Sequence, residues 1–157
     1  MTDPTSEPFA GRESWLNGWI DVLRTHNGDE AGAAATAVLS GAIDLGLAVK
    51  KQSQEDRGFS IAIVVPNLAY WPECTPSVAH DKGGRIDWEV APLTNHRPFS
   101  SAPMADQLWA RIESIPGLDT SKRSYPDVRF VDLGSDGVRE FLDALAWVTE
   151  RIRRYNS

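Results

Sequence analysis

Between residues 85 and 90 the chain alternates charged and apolar side chains, with Arg85, Asp87 and Glu89 set against Ile86, Trp88 and Val90. A period of two is the pattern of a strand with one dry and one wet face. Gly83 and Gly84 stand immediately ahead of it, where a hairpin turn wants positive φ. Pro92 ends the regular pairing, and the polar run Thr94, Asn95, His96, Arg97 leads through Pro98 into a helix. Trp88 sits mid-strand, with strands before it and helices after it. It is the natural centre of a core.

The elements around this stretch follow from periodicity and punctuation. Trp15, Leu16, Trp19, Ile20 and Leu23 make a helical stripe over residues 12–26, closed by Asn27-Gly28. A second helix is expected over 29–45, rich in alanine and glycine, with Gly46 at its C′ position. The two form a helical hairpin in which Trp15 and Trp19 cover the alanine-rich face. A short strand over 47–49 and a polar turn over 52–58 come next. The apolar, β-branched run over 59–65 reads as a central strand with both faces covered. Residues 67–76 read as loop, with a short edge strand as the alternative, and 77–81 pair with 85 onward.

A third long helix starts at Ser100 or Ser101 with Pro103 in its first turn. Its buried stripe is Ala105, Leu108, Trp109, Ile112 and Ile115, and Pro116-Gly117 ends it. A short strand over 128–133 precedes the last helix, 136–155, with Ser135 as N-cap. The fold class is α+β: an N-terminal helical hairpin, a mostly antiparallel sheet of four or five strands, and two further helices packed against it. Residues 1–11 are expected to be a flexible arm, and 12–157 a single α+β domain.

Bulk properties narrow the function. A chain of 157 residues holds one core, and no apolar run approaches the roughly 20 residues of a membrane span. The polar, acidic start has no basic segment and is no secretory signal, so cytoplasmic residence is expected. Cys74 is the one cysteine, which excludes an internal disulfide and any multi-cysteine metal site. A net charge of −6 and a pI near 5.0 disfavour nucleic acid as the main ligand.

Candidate chemistry is sparse. Cys74 and His80 are the pair to test for nucleophilic catalysis, but nothing around Cys74 looks like a helix N-terminus, and a space-filling role fits it better. Asp87 and Glu89 point the same way along a strand, as the paired carboxylates of many metal-dependent nucleases do. The position where such enzymes carry a lysine is Ala91. Hairpin parity puts His80 on the same wet face as Asp87 and Glu89. His96, Arg97 and Ser100 precede a helix N-terminus and form the best small-anion candidate. Trp147 falls opposite the apolar stripe of the last helix, among charges that include Arg151 and Arg154, which suits an interface anchor or a stacked arginine. There is no metal-ligand spacing, nucleophile elbow or dinucleotide fingerprint, so neither a metal nor a cofactor is expected.

The last third of the chain carries a resemblance. Ile115-Pro116-Gly117, Pro126, Leu133, Phe141-Leu142, Leu145 and Trp147-Val148 are similar to the ending of a group of uncharacterised bacterial proteins, some of them accessory domains beside restriction or defence enzymes. The resemblance brings no catalytic residues. The expectation is a non-enzymatic binding or accessory module acting through contact with a protein partner or a second copy. The alternative is a small metal-dependent hydrolase or nuclease using Asp87 and Glu89.

Overall fold

The hairpin at the centre of the sequence forms as its parity requires. In the computed structural model, which describes residues 9, 11, 13–55, 58–68 and 75–156, strands β3 (Ser77–His80) and β4 (Arg85–Trp88) pair antiparallel. His80 stands opposite Arg85 and Ser77 opposite Trp88. The turn between them is closed by Gly84, whose φ of 61° the left-handed region allows and whose N–H donates to the Asp81 carbonyl at 3.3 Å. Outside this hairpin lie β1 (Ala48–Glu55) and β2 (Gly58–Val64) on one side and β5 (Asp127–Arg129) on the other. The sheet has five strands in the order β1-β2-β3-β4-β5, every neighbour antiparallel.

Helix α1 (Trp15–Asn27) and helix α2 (Asp29–Asp44) form the expected hairpin across Gly28. Gly46 closes α2 at φ 84°, donating to Ile43, while Leu47 reaches back to Ala42. Those two bonds satisfy carbonyls that the helix end would leave bare. The two tryptophans share the core cluster with the alanines of α2 and also reach the sheet. Trp19 donates its indole N–H to the Phe59 carbonyl at 3.4 Å and meets Phe130 edge-on at 6.4 Å, while Trp15 lies under the Lys51 ammonium. Both rings thus join α1 to the edge of the sheet.

Three elements depart from expectation. β1 runs to Glu55 through a bulge between Lys51 and Gln54, because an edge strand pairs on one side and tolerates polar side chains. β4 ends at Trp88, and helix α3 (Val90–Thr94) replaces the expected strand end. Pro92 sits in the first turn of α3, where its missing N–H costs nothing, and Val90 and Leu93 go into the core. Phe130 to Leu133 is a helical turn instead of strand. It opens α5 (Phe130–Tyr155), which is broken at Gly134 (φ 63°, ψ −177°), and the long run begins after that glycine, where the sequence placed its start. Helix α4 (Ala102–Glu113) has its expected cap, with the Ser101 hydroxyl accepting from the Met104 N–H.

Ile61, Ile63, Ala79, Ile86, Trp88 and Val128 present one sheet face to the helices, forming a continuous core with Leu39, Phe141 and Leu145. Trp88 is wholly buried, its ring 5.0 Å from that of Phe141. Phe9 also lies in this core, so the expected arm is anchored at that residue, and residues 1–8, 10 and 12 lie outside those described. Ala62, Val64 and Val78 are buried on the opposite sheet face. No helix among the described residues is long and apolar enough to cross a membrane.

Candidate functional site

The opposite sheet face carries the polar residues of the hairpin. His80 and Asp87 are diagonal neighbours across β3 and β4, with Nε2 3.7 Å from Oδ2. Arg85 and Asp127 repeat the diagonal across β4 and β5, at 3.1 Å. Like charges stand directly opposite (Arg85 by Arg129, Asp87 by Asp127), so the diagonals are what relieve the face. Arg129 turns away to Asp132 at 2.9 Å. Asp87 Oδ1 is buried with no hydrogen-bond partner among the described residues.

Glu89 lies one residue beyond β4, its N–H bound to the Pro76 carbonyl at 3.0 Å. Burial raises its carboxyl pKa to about 7, the negative charge of Asp87 adds to the rise, and His80 opposes it. The structure thus brings His80, Asp87 and Glu89 together as the sequence placed them. The arrangement can take up and release a proton near neutrality. Among the described residues no group of three or more His, Cys, Asp or Glu side chains is set to hold a metal ion.

A pH dependence follows. The folded state binds the Glu89 proton more tightly than the unfolded chain, so stability falls as pH rises from about 4.5 to about 7. Screening of this half-buried group leaves an effect of about 1–2 kcal/mol. Glu89→Gln is therefore expected to stabilise the protein by that amount at pH 8 and to change little at pH 4. Urea unfolding at the two pH values checks it, and an equal effect at both would remove the protonated carboxyl.

The other sequence candidates are placed differently. His96, Arg97 and Ser100 are exposed on the turn before α4, and Ser101, not Ser100, caps the helix. Between them Phe99 goes wholly into the core. Trp147 is 9% exposed and does not stand on an open face. Phe99 covers it at 5.9 Å, and the guanidinium carbons of Arg111 and Arg151 lie 5.5 Å from the ring centre. The reason is that α5 is covered on two sides, by α2 and the sheet on its apolar stripe and by Phe99 with α4 on the other. Arg154 pairs with Glu150. Cys74 lies outside the described residues.

Two concave sites went unread in the sequence. Helices α2 and α5 run side by side, touching tightly where Gly41 leaves no Cβ to meet Leu142. Toward their N-terminal ends they part, leaving a groove of about 560 Å³. Ala33, Ala34 and Ala37 line it from α2, and Phe130, Val131, Gly134, Ser135 and Val138 from α5, with Glu30 at the rim. Ala33 and Ala37 are exposed, and Val131 is 39% exposed. The signal was present as alanines one turn apart, which small size alone assigns to close packing. The second site is a smaller pocket of about 240 Å³ between α1 and the β1–β2 edge.

No protein-family model, curated protein or solved structure matches the chain.

Proposed function

We propose that the chain is a non-enzymatic binding module acting through protein–protein contact, with the α2–α5 groove as its contact surface. The observation that carries this is the pair of exposed alanines Ala33 and Ala37 facing a partly exposed Val131, in a concave strip between two helices. Such a strip accepts the apolar face of a third helix, and small residues let its backbone come close. Glu30 at the rim and the net charge of −6 favour a partner helix with basic flanks. The C-terminal resemblance to bacterial accessory domains agrees with a place in a defence or regulatory complex. The hydrolase reading is weaker, since His80, Asp87 and Glu89, though near one another, are not among groups set to hold a metal ion in the described residues.

The test uses wild type, Ala37→Arg and the control Lys50→Ala as baits in the native cell extract. Arginine is a good helix former at an exposed site, so Ala37→Arg is expected to melt like wild type. At least one protein retained by wild type and by Lys50→Ala should fall roughly tenfold or more with Ala37→Arg. Identical retention by all three baits would remove the groove from the account.

A further inference from the structure

The pocket between α1 and the sheet edge is walled by rings. Trp15, Trp19 and Phe59 line it together with Val22, Lys51 and Asp81. Trp19 is held by its bond to the Phe59 carbonyl, and the Trp15 indole N–H donates to Glu13 at 2.8 Å, so both rings are fixed. Phe59 is 45% exposed, a large aromatic left open on this rim.

Asp81 is the unusual member. It is 2% exposed, and its Oδ1 accepts the Lys82 N–H at 2.6 Å. Among the described residues it has no ion-pair partner, whereas buried carboxylates are as a rule paired. Gly58, at φ 107°, makes room for it, since a Cβ there would collide with Asp81 Oδ1.

A cation is already seated on one wall. The Lys51 ammonium lies 4.9 Å from the centre of the Trp15 ring. Trp109 and Trp147 are likewise covered by cations, but by arginines, and each is only 9% exposed. Trp15 is less buried and its cover is an exposed lysine on a flexible stem. Aromatic faces around an uncompensated carboxylate are the chemistry that recognises organic ammonium groups. The volume is below the roughly 300–1,000 Å³ of sites for drug-sized ligands, and suits a small head group.

We propose that this pocket binds a methylated ammonium group, which displaces Lys51 from Trp15 and lies between the rings and Asp81. The group belongs either to a free small molecule or to a methylated lysine side chain. Calorimetric titration of the full chain with choline, and with a short peptide carrying trimethyllysine, distinguishes the two sources. Saturable binding of at least one is expected, with the neutral isostere 3,3-dimethylbutanol not binding. Trp15→Ala should weaken binding by roughly tenfold to thirtyfold, and Lys51→Met should tighten it by removing the resident cation. Phe59→Ala, at an exposed site, guards against misfolding and should also weaken binding. No binding by either ammonium, or equal binding of the neutral isostere, would overturn the proposal.

Discussion

Trp88→Ala is expected to cost about 3–5 kcal/mol, the range for truncating a buried aromatic. Trp88 is wholly buried on β4 and packs on Phe141 of α5, so the variant opens a cavity where sheet and helix meet. The surroundings cannot collapse into it easily. The Trp88 N–H binds the Pro126 carbonyl at 2.9 Å and the Glu89 N–H that of Pro76, which pins the strand on both flanks. At roughly 2–4 °C per kcal/mol for a chain of this size, the melting temperature should fall by about 6–20 °C. Trp88→Phe should be much milder, because the indole N–H it removes has no partner among the described residues. Thermal unfolding of the two variants gives the comparison. A drop of a few degrees in Trp88→Ala would mean that the core is centred elsewhere.

Trp147→Ala should cost about 3 kcal/mol without changing the mass of the particle in solution. Its ring lies between Phe99 and two guanidinium groups, so truncation strips Phe99 of its cover and leaves Arg111 and Arg151 without the face they lie on. Arg151→Ala, which removes one cation and keeps the ring, should cost only about 0.5–1 kcal/mol. Melting curves read together with light scattering decide the case. An unchanged melting temperature combined with a lower particle mass would return Trp147 to the role of an interface anchor.

The contrast between these two tryptophans shows what the sequence could carry. Trp88 was legible because strand alternation is local, and its strand neighbour Ile86 points with it. Trp147 was read in part: the stacked arginine one turn away is there as Arg151, but a helical wheel assumes one dry side, and nothing local says that Phe99 folds back over the other. The same limit hid the extension of β1, whose Lys50 and Lys51 are paired with Ala62 and Ile61 without being buried. It also hid α3, where proline reads as a stop but serves as a first-turn residue. For the candidate sites, His80, Asp87 and Glu89 were found by parity alone. The groove and the aromatic pocket were not, since each is made by elements far apart in sequence. The alanines of α2 meet the start of α5, and Trp15 meets Phe59 and Asp81, only after the core has closed.

The claim that the α2 face receives a partner is tested most directly by placing a photoreactive benzoylphenylalanine at position 37 and irradiating the living native cell. The same residue at position 50, exposed on the opposite side of the sheet, is the control. A discrete crosslinked protein is expected from position 37 that is absent from position 50. No adduct at position 37, or the same adducts from both positions, would contradict it.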